Sequence, residues 1–331
     1  MKVLVSGGSG FVGGAVLARL AREPGLSSRA TVRSFTVDLC SETETVLVDA
    51  LSPSCEWKHA ARGCDIVVHA AARVHERQAS EEKAFSLYRD TNSLGTVRFA
   101  RQAAAVGVRR FVYLSSIKVH GEKTEPGSPF SASSPLRPTD AYSRSKSEAE
   151  TGLFALAKET GLEVVILRPT LVYGPGVRAN FLTMLRWIHA GLPLPFGAVR
   201  NLRSFVAIDN LVDLVVCCLT HPLAANECFL VSDGDDLSTP ELIERASAAL
   251  NVSARLLSVP PTLLSIAAAL VHRQKLIGRL LDSLQVDIEK TRRLLAWTPP
   301  VQVNDALART ALYYLQGLSS TTVAVHRRRA R

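Results

Sequence analysis

The chain has 331 residues, of which 47% are apolar and 21% charged, and its net charge is +9 at pH 7. At roughly 150 residues per domain this is enough for about two domains with buried cores, and the balance is that of a globular protein rather than a disordered, collagenous or disulfide-stapled one. No apolar run approaches the roughly 18 residues of a membrane span; the greasiest windows, residues 211–219 and 263–271, read as buried helices, and no membrane insertion is expected.

The opening Met1-Lys2-Val3-Leu4-Val5-Ser6-Gly7 has too short an apolar run for a signal peptide, so a cytoplasmic location is expected. Cys40, Cys55, Cys64, Cys217, Cys218 and Cys228 form no Cys-x-x-Cys pair and have no histidines at zinc spacing. They read as buried free thiols, and no metal is expected. Part of the positive charge lies in His326-Arg327-Arg328-Arg329-Ala330-Arg331, and residues 318–331 read as a basic, disordered tail without a nucleic-acid partner. The remaining excess suits an anionic substrate, because a positive cleft concentrates anions.

In chain order, short β-branched runs alternate with amphipathic stretches. Val3-Leu4-Val5 precedes a helical pattern over 11–20; Ala30-Thr31-Val32, Val46-Leu47-Val48 and Ile66-Val67-Val68 follow. A helix is expected over 96–106, then the run Phe111-Val112-Tyr113-Leu114, a helix over 142–160 and the run Val164-Val165-Ile166-Leu167. Continuous apolar strands separated by helices indicate a parallel sheet covered on both faces. The fold class is therefore α/β, a doubly wound Rossmann sheet. After residue 170 prolines break a mostly helical pattern, which reads as a second, smaller, helix-rich substrate domain. The division is 1–170 for the cofactor domain, with a returning segment near 205–232 that includes the strand-like Cys228-Phe229-Leu230-Val231, and 171–204 with 233–317 for the smaller one.

Ser6-Gly7-Gly8-Ser9-Gly10-Phe11-Val12-Gly13 lies between the first strand and the first helix. Glycines there permit a tight turn and a close approach of backbone to a pyrophosphate, which the helix N-terminus stabilises. The bare pattern is weak, and its place after the first strand of a βαβ unit makes it a dinucleotide site. The second strand ends in Thr31-Val32-Arg33-Ser34, with no carboxylate before Asp38. An acidic residue at this point would hold the ribose 2′-hydroxyl of NAD; Arg33 suits the 2′-phosphate of NADP instead. NADP is favoured, and Asp38 keeps NAD open.

Tyr142-Ser143-Arg144-Ser145-Lys146 places a phenol and an ammonium on one helical face. A lysine beside a tyrosine favours the phenolate and lowers its pKa toward useful acid/base chemistry. Ser115 and Ser116 end the fifth strand, where side chains face the ligand crevice of such a sheet.

In these residues the sequence resembles the extended short-chain dehydrogenase/reductase family, in its nucleotide-sugar epimerase/dehydratase/reductase branch, over about residues 1–315. The resemblance is carried by the glycine turn, Asp49-Ala50-Leu51, His69-Ala70-Ala71-Ala72, Asn92-Ser93-Leu94-Gly95-Thr96, Ser115-Ser116, Tyr142 with Lys146, and Arg168-Pro169-Thr170-Leu171-Val172-Tyr173-Gly174-Pro175. It implies that Tyr142 is the acid/base, that Lys146 tunes it and holds the nicotinamide ribose, and that Ser116 bonds the sugar oxygen. It further implies that Gly7, Gly10, Phe11, Val12, Gly13, Asp49, Ala50, Leu51, Ala70, Ala71, Ala72, Ser115 and Pro169 lie along an NAD(P) cofactor, with Asn92 as a helical support. Asn180, Arg203 and, more remotely, Arg279 are the implied contacts of a UDP-sugar diphosphate in the smaller domain, and a homodimer through helices beside the sheet is implied as well. Lys118 and His120 stand where the family pattern has a smaller residue and a tyrosine.

The absence of an Asp-Glu pair after Ser116 disfavours a 4,6-dehydratase. The segments 115–122, 178–182 and 197–201 resemble bacterial surface-polysaccharide reductases that act on UDP-2-acetamido-2,6-dideoxy-4-hexulose. The expected activity is NAD(P)H-dependent reduction of a UDP-4-keto-6-deoxy-N-acetylhexosamine at C4. A UDP-glucose or UDP-N-acetylglucosamine 4-epimerase is the alternative. A non-catalytic cofactor-binding regulator stays in view as a different class, opposed by the presence of both Tyr142 and Lys146.

Overall fold

A computed structural model describes residues 1–34, 43–74, 81–125, 127–270 and 274–329 of the chain. The alternation read from the sequence becomes β1 (Lys2–Ser6), α1 (Phe11–Leu20), β2 (Ser27–Val32), β3 (Glu44–Leu47), α2 (Lys58–Ala61) and β4 (Ile66–His69). Then come α3 (Glu81–Tyr88), a π-helical turn (Arg89–Leu94), α4 (Gly95–Ala105), β5 (Arg110–Leu114), α5 (Ala141–Thr160), β6 (Glu163–Pro169) and β7 (Leu171–Tyr173). The remainder is α6 (Ala179–His189), β8 (Phe205–Ala207), α7 (Ile208–Thr220), β9 (Glu227–Val231), α8 (Thr239–Ala249), α9 (Pro261–Leu270), α10 (Gln274–Leu281), α11 (Glu289–Leu295) and α12 (Val303–Arg329).

Seven strands pair in the order β3-β2-β1-β4-β5-β6-β9, and every pairing in this sheet is parallel. Side chains alternate between its faces. Val3 and Val5 join a core with Val16, Leu17 and Leu20 of α1 and Leu211, Leu214 and Val215 of α7. Leu4 points the other way, into a core with Phe99 and Ala103 of α4 and Leu153 and Leu156 of α5. Two covered faces explain why the strands read as unbroken apolar runs. The strand order reverses at β1 and β4, so a crevice opens beyond their carboxyl ends. The expected return of the chain is β9, paired with β6 from Glu227 opposite Val165 to Val231 opposite Pro169.

A third core gathers Tyr173, Phe181, Leu185, Phe205, Leu242, Ile243, Leu307 and Ala311, drawn from β7, β8, α6, α8 and α12. Among the described residues no helix is long and apolar enough to cross a membrane. Cys55, Cys64, Cys218 and Cys228 are buried free thiols and Cys217 is half-buried, while Cys40 lies outside the described residues.

Two expectations need correction. The window at 263–271 was to be a buried helix; α9 instead exposes Leu263, Ile266 and Leu270, because only Ala268 is buried and Leu264 partly so. The segment 318–331 was to be disordered; α12 continues to Arg329, since no proline or further glycine follows Gly317 to stop it.

Candidate functional site

The glycine turn closes on itself by a hydrogen bond from the Gly10 amide to the Gly7 carbonyl, 2.9 Å. Gly7 has φ +76°, and a β-carbon there would stand 2.7 Å from the Ala71 amide nitrogen. A β-carbon on Gly13 would stand 2.2 Å from the Gly7 carbonyl oxygen. Only glycine lets β1, α1 and the loop after β4 come together this closely.

Beyond the turn lies a cavity of about 450 Å³ whose walls include Gly7, Gly10, Arg33, Asp49, Ala50, Leu51 and Ala70 to Ala72. This single cleft therefore brings together nine of the residues implied for the cofactor. Its size and backbone-rich mouth at a helix N-terminus fit a dinucleotide. Phe11 and Val12 sit half-buried at the start of α1, packed on the core, and Pro169 is buried at the end of β6. Arg33 is an exposed residue of the cleft wall; Asp38 lies outside the described residues.

No motif singles out Trp57, which also lines the cleft and stacks on Phe99 at 4.1 Å. Its indole nitrogen is buried without a hydrogen-bond partner among the described residues. Thr31, Val48, Arg73 and Thr91 complete part of the wall.

Asn92 is a support residue, set on the π-helical turn rather than on a regular helix. Its side chain accepts from the Arg73 amide at 2.8 Å and donates to the Arg73 carbonyl at 3.0 Å and to the Ser145 hydroxyl at 3.1 Å. The cleft loop is thereby tied to α5.

Helix α5 starts at a capping box in which Asp140 accepts from the Ser143 amide and Ser143 from the Asp140 amide. This fixes Tyr142 in the first turn and Lys146 one turn on. The Lys146 ammonium donates to the Leu114 carbonyl at 2.8 Å and lies 4.5 Å from the centre of the Tyr113 ring and 5.9 Å from that of Tyr142. Burial brings its pKa down to about 7, against the pull of Glu150. Burial, with Asp140 and Tyr88 nearby, raises Tyr142 above its ordinary value. The expected lowering of the Tyr142 pKa is thus reversed in the chain alone: desolvation outweighs an ammonium whose hydrogen bond goes to a carbonyl.

Ser116 is half-exposed and its hydroxyl accepts from the Lys118 amide at 3.3 Å. Ser115, expected beside it at the cofactor, is buried and donates to Glu150. Successive residues of an extended strand point to opposite sides, so the two hydroxyls part company. Glu150 forms a buried two-bond pair with Arg168, which also donates to Nε2 of His120 at 2.8 Å. His120 donates from Nδ1 to the Pro135 carbonyl at 3.3 Å. Burial and Arg168 lower its pKa to about 4, so the ring is a neutral strut. His69 is likewise held neutral by burial and by Lys146, between Ser6 and Thr96.

Asn180 is exposed in the first turn of α6. Arg203, pushed down in pKa by burial, donates to the Asp282 carbonyl at 2.8 Å. Arg279 pairs with Glu122 at 3.2 Å, and Glu122 also pairs with Lys118, which reaches Asp140 at 2.8 Å. Arg203 and Arg279 act on each other electrostatically, so they share a neighbourhood with Glu122. None of Asn180, Arg203 and Arg279 is in the wall of the cofactor cleft.

Residues 3–231 match the model of the NAD dependent epimerase/dehydratase family. The chain is 42% identical over 317 residues to UDP-glucose 4-epimerase of Vibrio cholerae, covering 95% of each protein. It is 27% identical over 252 residues to N-acetyl-alpha-D-glucosaminyl-diphospho-ditrans,octacis-undecaprenol 4-epimerase of Escherichia coli O157:H7, covering 75% of this chain and 72% of that one. Its fold matches that of UDP-glucuronic acid 4-epimerase from Bacillus cereus, solved in complex with NAD, with a TM-score of 0.76 at 21% identity over 96% of this chain and 99% of that one. The crevice, the glycine turn, the Tyr142–Lys146 pair and these likenesses agree: the chain belongs to the NAD-dependent epimerase/dehydratase family, the extended short-chain dehydrogenases that work on nucleotide sugars.

Proposed function

We propose that the protein is a UDP-sugar 4-epimerase that inverts C4 of UDP-glucose or UDP-N-acetylglucosamine. The observation that supports this most is the 42% identity to a UDP-glucose 4-epimerase along nearly the whole of both chains. The cofactor is held by Gly7, Gly10, Gly13, Asp49, Leu51 and Ala70 to Ala72, and Lys146 holds its ribose. When bound, a nicotinamide cofactor would supply the hydride acceptor and donor, and its positive charge would favour the ionised phenol. Tyr142 accepts the proton of the C4 hydroxyl and later gives it back. Ser116 bonds the same oxygen and orients it. Residues 171–204 and 233–317 hold the nucleotide sugar, with Asn180, Arg203 and Arg279 at its diphosphate, where arginine forks match phosphate oxygens. The enzyme works in the cytoplasm as a homodimer built through helices beside the sheet.

A reductase of UDP-4-keto-6-deoxy-N-acetylhexosamines is the second reading. Arg33 in the cleft wall favours it, because a 2′-phosphate contact suits NADPH, the cofactor of a reductase. The two readings separate in one assay. An epimerase converts UDP-glucose or UDP-N-acetylglucosamine to the 4-epimer without net change in nicotinamide absorbance. A reductase consumes one NADPH for each 4-keto sugar. Stoichiometric oxidation of NADPH with a UDP-4-keto-6-deoxy sugar, and no epimer from either UDP-sugar, rejects the first reading in favour of the second.

A further inference from the structure

Lys118 touches both segments that carry the reacting hydroxyls. Its backbone amide donates to the Ser116 hydroxyl at 3.3 Å. Its ammonium donates to one carboxylate oxygen of Asp140 at 2.8 Å, while the other oxygen accepts from the Ser143 amide at 2.7 Å and caps α5. Tyr142 stands in the first turn of that helix. One residue therefore ties the loop after β5 to the end of α5 that presents the phenol. A smaller residue at position 118, as in the pattern the chain otherwise resembles, could not span that gap.

The ammonium also separates two carboxylates. It pairs with Glu122 at 2.6 Å as well as with Asp140, and the two acids repel each other. All three side chains are half-buried, so their charges are screened less than at an open surface. Among the described residues Lys118 is the one cation paired with Asp140, whereas Glu122 also pairs with Arg279. Tyr142 is faced by Asp140 from the helix cap, by Tyr88 of α3 with ring centres 6.1 Å apart, by Lys146 of α5 at 5.9 Å and, electrostatically, by Tyr113 of β5. Asp140 is the one carboxylate in that set, and it opposes ionisation of the phenol.

We propose that Lys118 is a positioning residue for the C4 reaction: it clamps the Ser116 loop to the N-terminus of α5 and cancels the charge of Asp140 beside the Tyr142 phenol. This rests on the reading of Tyr142 as the acid/base and holds for an epimerase and a reductase alike. Without the ammonium, Asp140 and Glu122 repel each other, the first turn of α5 loosens, and the phenol stands beside an uncompensated carboxylate that disfavours the phenolate.

Lys118→Met keeps the stem and loses the charge. It is compared with Lys118→Arg and with Lys118→Met combined with Asp140→Asn, where asparagine still caps the helix. Amide hydrogen exchange over residues 141–146 is read in the full-length protein without substrate. It should quicken at least about threefold in Lys118→Met and return to the wild-type rate in Lys118→Arg. The pH dependence of kcat is read on UDP-glucose, on UDP-N-acetylglucosamine and, with NADPH, on a UDP-4-keto-6-deoxy-N-acetylhexosamine. The limb that reports the phenol should move to higher pH by at least about half a pH unit in Lys118→Met, with KM unchanged. It should return in Lys118→Arg and in the double variant. An exchange rate unchanged in Lys118→Met overturns the proposal. So does a limb that stays in place, or one that the Asp140→Asn change fails to bring back. If the wild type turns over none of the three sugars, the C4 reading fails, and the exchange rate still decides the clamp.

Discussion

Tyr142 and Lys146 show how far burial can work against a reactive pair. The same desolvation that raises the phenol brings the ammonium down to about 7, so neither group carries its charge cheaply in the chain alone. His120 obeys the same rule. Its ring has a pKa of about 4 in the fold against an ordinary 6.5. Between those values the unfolded chain binds a proton that the native one refuses, so stability falls as pH drops from 6.5 to about 4. At about 1.4 kcal/mol per pH unit the loss is on the order of 3 kcal/mol. His120→Asn, neutral at every pH and able to accept from Arg168, should flatten that part of the curve; urea midpoints measured at pH 6.5 and 4.5 check it. An unchanged slope would assign the acid loss to other groups. At Gly13 the limit is steric. Gly13→Ala would place a β-carbon 2.2 Å from the Gly7 carbonyl oxygen, so the turn must move. The expected cost is about 1–3 kcal/mol, with at least a tenfold loss of cofactor affinity, measurable by melting temperature and NAD titration. Wild-type affinity in this variant would show that the turn relaxes at no cost.

The π-helical turn before α4 joins two parts of the site that no local pattern connects. Asn92 bonds both backbone groups of Arg73 and the Ser145 hydroxyl, so it fixes the cleft loop against the helix that carries Tyr142 and Lys146. Asn92→Ala leaves buried polar groups without partners, at about 1–3 kcal/mol. Melting temperature and kcat should fall together, and a variant with both unchanged would remove this turn from the account. Such elements divide into those the sequence displays and those it hides. Strands β1 and β4–β6 are legible because Val3-Leu4-Val5 and its counterparts are apolar on both faces. The glycine turn and the Tyr142–Lys146 spacing are legible because each demands fixed residues at fixed intervals. The π turn has no periodic signature, and the Ser115–Glu150–Arg168–His120 chain is assembled from three separate segments. Ser115, His120 and Arg168 each stand in a segment that the sequence singles out, while Glu150, the carboxylate that joins Ser115 to Arg168, carries no motif. Helix α9 misled because greasiness predicts burial only where something packs on it.

At the scale of the molecule, the seven-stranded sheet places the nucleotide crevice at its point of reversal. The third core holds the segments that carry Asn180 and Arg203 beside it. The chain's +9 charge is unevenly spread along the sequence: residues 245–281 hold five arginines and lysines and no aspartate or glutamate. Composition reports that excess but not its place in the chain. The central claim is that this architecture puts Tyr142 at C4 of a nucleotide sugar. The most direct test is the 4-epimerisation of UDP-glucose and of UDP-N-acetylglucosamine by the NAD-saturated wild type and by Tyr142→Phe, with NAD affinity measured in parallel. Turnover is expected in the wild type, with a loss of about 10²–10⁴-fold in the variant and unchanged NAD affinity. A wild type that leaves both UDP-glucose and UDP-N-acetylglucosamine untouched, or a phenylalanine variant that keeps pace with it, contradicts this placement of Tyr142.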